Sequence, residues 1–132
     1  MLKVLNFNNL ETCKKDTMKE FMMIFIGADY EELGLSPDQL QNKMEKWFSW
    51  GDKLQEQGIL RGGAALMSKG KRVSGVNRVE SDGPFIESKE LVGGHYTIAA
   101  DSYEDVVKIA QDYPDYDLGG TVEIREIIKF DR

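Results

Sequence analysis

Read by hydrophobic period, the chain alternates between extended and helical stretches. Lys19 to Ala28 is apolar without alternation through Phe21, Met22, Met23, Ile24, Phe25 and Ile26, which predicts a strand buried on both faces. A loop over 29–35 leads into Ser36-Pro37-Asp38-Gln39, where a capping serine precedes a first-turn proline and an acidic group, so a helix is expected to begin. Its apolar stripe is Leu40, Met44, Trp47, Gly51 and Leu54, flanked by Phe48 and Trp50. Gly51 within that stripe favours close approach to a sheet, and Gly58 is a natural stop. Ile59 to Met67 reads as a strand interrupted by Gly62-Gly63, and 68–80, with Val73, Val76 and Val79, as a hairpin excursion. Glu90 to Ala100 is the next strand, with Tyr96, Ile98 and Ala100 on one face. Asp101 or Ser102 caps a second helix striped by Tyr103, Val106, Val107 and Ala110, and Pro114 ends it. The last strand runs from Thr121 to Lys129, with Val122, Ile124 and Ile128 facing one way and Glu123 and Arg125 the other.

In order, the elements are β, α, β, hairpin, β, α, β, an α+β chain of the ferredoxin-like βαββαβ kind with a β-hairpin insertion. Residues 1–17 form an N-terminal arm or extra edge strand, and 18–132 a single domain. Two helices shield one side of a four-stranded sheet, yet the first strand is apolar on both sides. A second copy packing sheet against sheet is the simplest cover, so a homodimer is expected.

Composition narrows the chemistry. The 132 residues carry a net charge of −6, which argues against direct binding to nucleic acid. Lys69, Lys71 and Arg72 are the only tight basic cluster, at the expected hairpin tip. Cys13 stands alone, so neither an intrachain disulfide nor a cysteine-based zinc site is available, and a reducing, cytoplasmic setting is expected. No apolar run is long enough for a membrane span, and the N-terminus lacks a signal-peptide core. Metal-ligand spacing, a phosphate-cradling loop and a nucleophile triad are all missing, and no cofactor is expected. The Gly62-Gly63, Gly93-Gly94 and Gly119-Gly120 pairs sit at strand entrances, where bulges or close backbone approach account for them.

The most distinctive stretch is Asp82-Gly83-Pro84-Phe85-Ile86-Glu87-Ser88-Lys89-Glu90, a turn that feeds a charged strand. Together with Leu91-Val92-Gly93-Gly94 it resembles the DGPF-motif branch of the YCII-related (YciI-like) proteins. Lys19 to Gly27 is similar to that family's opening strand, Trp47 and Trp50 to its paired helix tryptophans, Gly58 through Gly63 to its turn into the second strand, and Gly119 to Ile127 (GGTVEIREI) to its closing strand. The resemblance covers about residues 18–128. It implies a dimeric α+β barrel and little about activity: relatives in the wider superfamily include enzymes acting on small aromatic or lactone-like acids, and genes of this branch often lie near or fuse with alternative sigma factors, a link to transcription regulation by resemblance only. YciI proteins have been proposed to use an early histidine with an aspartate. This chain has no histidine there, so that dyad is not carried over.

The candidate site is Asp82, Glu87, Lys89, His95, Glu123 and Arg125, with Trp50 and Phe85 as aromatic walls. Asp82 also fits a role in stabilising its own turn, and Glu123 with Arg125 a structural ion pair. His95 is the only histidine and the readiest proton shuttle near neutral pH. If Tyr96 and Ile98 face the helices, His95 faces the enclosed space between subunits. The preferred reading is a dimeric small-ligand-binding or accessory protein whose intersubunit cleft takes a small organic acid or anion. The alternative is an enzyme of proton-transfer or lyase type, with His95 or Asp82 as base and Arg125 holding a carboxylate.

Overall fold

The computed structural model describes residues 18–83 and 91–131. Strands β1 (Lys19–Ile26), β2 (Leu60–Ala65), β5 (Val92–Ala100) and β6 (Thr121–Glu126) form an antiparallel sheet in the order β2-β5-β1-β6. Strands β3 (Lys71–Ser74) and β4 (Val79–Asp82) pair as a separate two-stranded hairpin. Helices α1 (Tyr30–Leu33), α2 (Pro37–Glu56) and α3 (Tyr103–Ala110) complete an α+β fold compatible with the ferredoxin-like arrangement.

Local chemistry sets the element ends. Ser36 Oγ accepts from the Gln39 N–H at 3.2 Å while the Ser36 N–H donates to Gln39 Oε1 at 2.9 Å, the reciprocal capping box that starts α2. Ser102 Oγ accepts from the Asp105 N–H at 3.3 Å and starts α3. Gly58, at φ +72°, follows the end of α2 in the left-handed region that glycine favours.

The core lies on one side of the sheet. Phe21, Met23 and Phe25 of β1, Ile98 of β5, Trp50 and Leu54 of α2, and Val106 and Ala110 of α3 form one buried cluster with Tyr113. The opposite face of β1 carries Met22, Ile24 and Ile26, which are half-buried rather than buried. Burial on both faces, expected from the sequence, therefore holds within this chain for the helix side alone.

Three element boundaries and one buried face differ from the sequence reading. The loop over 29–35 contains α1, started by Asp29, whose carboxylate accepts from the Glu31 N–H at 3.2 Å, and closed by Gly34 at φ +63°. The last strand stops at Glu126, and Ile128 beyond it is 74% exposed. The hairpin strands sit three residues later than 68 and extend to Asp82, around a turn with Gly75 at φ +78° and Arg78 at φ +57°. Finally, the buried arc of α2 is rotated: Lys43, Trp50 and Leu54 are buried, whereas Leu40 and Phe48 are exposed. Trp50 thus belongs to the centre of the stripe, not its flank. Gly51 does bring the helix close to the sheet, since a methyl group there would lie 3.1 Å from the Tyr96 hydroxyl.

Candidate functional site

Register explains where the sheet fails to fill space. On the helix side, three cross-strand rows run from β2 to β6 in the pleat. One row is Leu60, Ile98, Phe21, Glu126; the next is Gly63, Tyr96, Met23, Ile124; the third is Ala65, Gly94, Phe25, Val122. In the third row the two positions on the β2 side of Phe25, Gly94 and then Ala65, carry nothing and a methyl group. Gly94 must be bare, because a Cβ there would sit 2.6 Å from the Ala64 carbonyl oxygen. Of the three glycine pairs, two sit at register shifts, between Phe25 and Ile26 opposite Gly93-Gly94 and between Leu60 and Gly62, while Gly120 of the third lies close to the Asp115 backbone.

Above that shortfall α2 presents Met44, Trp47, Phe48 and Gly51, and the result is a groove of about 650 Å³. This volume is within the range of small-molecule sites. Its deep wall is aromatic. Phe25 meets Trp47 edge-on at 5.0 Å and Tyr96 at 5.3 Å, and stacks on Tyr113 at 5.3 Å between ring centroids. Leu66 and Met67, past the end of β2, and Leu91 and Val92, at the start of β5, line the far side.

A polar network closes the end of the groove near α1. Trp47 Nε1 donates to the Tyr30 hydroxyl at 2.8 Å, and that hydroxyl donates to the Asp115 carboxylate, 2.8 Å and 2.7 Å from its two oxygens. Asp115 is 3% exposed, and buried Lys43 lies 3.7 Å away. The Lys43 ammonium also donates to the Pro114 carbonyl at 2.8 Å and to Asp117 at 2.5 Å, which holds the Asp117 carboxyl below its usual range. Every member is partnered, as buried polar groups must be to avoid a desolvation penalty. Burial, followed by the bond to Asp115, pushes the Tyr30 hydroxyl well above the ordinary tyrosine range, and burial with the Asp115 charge does the same to Tyr113. Burial also raises Tyr96, helped by Asp52. These phenols therefore stay protonated and act as donors and walls, not as bases.

The residues singled out from the sequence fall in three places. His95, Glu123 and Arg125 share the face of the sheet opposite the helices, as the alternation suggested. His95 and Glu123 both pair with Ile24, one on each side, and Arg125 pairs with Met22. His95 and Glu123 are thus two strand spacings apart, about 9–10 Å, and no ion pair joins Glu123 to Arg125 in the described structure. Trp50 is not with them. It is 4% exposed within the helix-side core, and its Nε1 is buried without a hydrogen-bond partner. Asp82 ends β4, where it pairs with Lys71 at 3.3 Å across the hairpin, in a different sheet from His95. Phe85, Glu87 and Lys89 lie outside the described residues.

Phe25, Met44, Trp47, Gly51 and Tyr96 have core positions in the sequence reading, whereas Tyr30, Lys43, Tyr113 and Asp115 are not singled out there. The available signals were an acid-capped Asp29-Tyr30 turn and a lysine on the inward arc of α2. Among the described residues no cluster of histidine, cysteine, aspartate and glutamate could hold a metal ion, and no helix is long and apolar enough to cross a membrane. Compared with known families, residues 21–131 match the YCII-related domain. No curated protein matches the chain.

Proposed function

The chain belongs to the YCII-related family, and from that premise we propose that it is a small-ligand-binding protein that receives a compact aromatic or apolar organic molecule in the groove beside Phe25. One observation carries this reading: the row Ala65-Gly94-Phe25 leaves a space of about 650 Å³ walled by Trp47, Tyr96 and Tyr113. Binding rather than catalysis is favoured because the phenols that reach the groove are held protonated and Asp115 is engaged by Tyr30 and Lys43. An enzyme built on His95, Asp82 and Arg125 has less support: Ile24 and Met22 separate the sheet residues, and Asp82 stands on the hairpin.

In the same reading the open face of the sheet, with Met22 and Ile24 among His95, Glu123 and Arg125, meets a second copy of the chain and completes a dimeric α+β barrel. Half-buried aliphatic side chains bordered by charge are suited to a symmetric contact.

The test uses Ala65→Trp, which fills the groove from a position outside the core. Neutral 2-naphthylmethanol is expected to quench the tryptophan fluorescence of the native chain and raise its melting temperature. The filled variant, folded by circular dichroism, should show no ligand-induced shift. Equal stabilisation of both proteins, or none of the native chain, would remove the groove from the account.

A further inference from the structure

Resting on that groove, we propose that its natural occupant is an organic cation: an aromatic or otherwise apolar body bearing an ammonium-type group that lies at the rim between Glu31 and Asp52. The charge inventory of the lining is one-sided. Asp29, Glu31, Asp52 and Asp115 all line the groove, and among the described residues no lysine, arginine or histidine does.

Two of these acids have internal work. Asp29 caps α1, and Asp115 accepts from Tyr30 and faces Lys43. Glu31 and Asp52 are exposed at the rim and form no ion pair in the described structure. Of the three lysines on α2, Lys53 bonds Asp112 at 3.1 Å, Lys43 bonds Asp117, and Lys46 acts on Asp117 rather than lining the groove. A shallow hollow on the outer side of Phe48 shares Asp52 and adds Glu45 and Glu56, with Lys53 the cation among them, so the acidic border continues past the rim.

The aromatic wall has the same preference. Trp47, Phe25, Tyr96 and Tyr113 line the groove, and a ring met on its face attracts a cation and repels an anion. The Tyr96 hydroxyl lies against Gly51, adjacent to Asp52 in sequence, so the aromatic wall and the unpaired carboxylate meet at one point of the rim. A bound carboxylate would enter a low-dielectric space facing acids, with no basic side chain among the described lining residues, whereas a cation would be drawn in by the field of the cleft.

Three isosteric probes separate this inference from the groove itself: 2-naphthylmethylammonium, 2-naphthylmethanol and 2-naphthoate, titrated by tryptophan fluorescence at low and high salt. The cation is expected to bind at least about fivefold tighter than the neutral alcohol, the gain available from one unit charge near one carboxylate in water, and to lose that advantage at high salt. The naphthoate should bind weakest. Asp52→Asn should weaken the cation more than the alcohol and so narrow the ratio between them. Equal binding of cation and alcohol, or tighter binding of the naphthoate, would overturn the charge assignment while leaving the groove intact. Failure of all three to bind would overturn both.

Discussion

The Tyr30 hydroxyl is the atom through which α1, α2 and the 113–118 segment are joined, so Tyr30→Phe is a direct probe of the site. The substitution keeps the ring and deletes one oxygen. It removes the donor to Asp115 and the acceptor for Trp47 Nε1. A neutral hydrogen bond contributes about 1 kcal/mol and one to a charged group about 1.5–3 kcal/mol. Two features reduce that sum: Asp115 keeps Lys43 at 3.7 Å, and Tyr30 and Trp47 are only half-buried, so water can replace part of what is lost. A net destabilisation of about 2 kcal/mol remains, equivalent to roughly 6–10 °C in Tm for a domain of this size. Urea unfolding at pH 7 and fixed protein concentration measures it.

The alkaline limb gives a second readout. Tyr30 is raised in the folded chain above its ordinary value of 10.0, so its contribution to stability is fully present below that pH and is lost as pH rises through and beyond it. Tyr113 acts in the same direction. The native chain should therefore lose stability steeply above pH 10, and Tyr30→Phe should show a shallower slope. A variant within about 0.5 kcal/mol of the parent at pH 7, or one with the parent's alkaline slope, would refute the claim that this hydroxyl holds the network together.

Three further outcomes are expected. Gly94→Ala forces a methyl group against the Ala64 carbonyl and the Ala65 Cα, which are backbone atoms that cannot rotate away, so it should cost about 1–3 kcal/mol in urea unfolding; a neutral result would mean that the β2–β5 ladder is looser than described. Lys43→Met leaves the Asp115 carboxylate without its buried cation and should destabilise by about 3 kcal/mol, well beyond the effect of replacing exposed Lys53, whose bridge to Asp112 is a surface pair. Ile24→Glu places a charge on the open face beside Glu123, and sedimentation velocity is expected to report a dimer for the native chain and a monomer for the variant; a monomeric native chain would remove the proposed contact, and an unchanged dimer would put it elsewhere.

Much of the fold is written in local pattern. The capping box at Ser36, the Ser102 cap and the apolar runs give three-dimensional elements because each depends on neighbours in sequence. The functional region was less legible, for a physical reason. The groove arises from the register that sets Ala65 beside Gly94 beside Phe25, three positions distant in the chain, and a row with missing side chains has no signature in any one strand. The charged residues near the DGPF stretch drew attention as chemistry, and Arg125 suggested an anionic ligand. The folded chain puts Arg125 on the face away from the helices, as the alternation suggested, while the groove on the helix side is lined by aromatic and apolar residues with acids at its border. Helical spacing located the stripe of α2 but not its phase, because Lys43 reads as a surface residue until its partners on the 114–117 segment are known.

The space beside Phe25 exists by omission, and omission is easily undone. Ala65 faces the groove with a single methyl group, so replacement by valine or leucine would bury more apolar area and strengthen the edge of the sheet while closing the cavity. Selection for robustness alone would push this position toward bulk. An alanine at this position is what the proposed binding role requires, and variants chosen purely for heat resistance should drift toward larger side chains at position 65 and lose binding of the naphthyl probes.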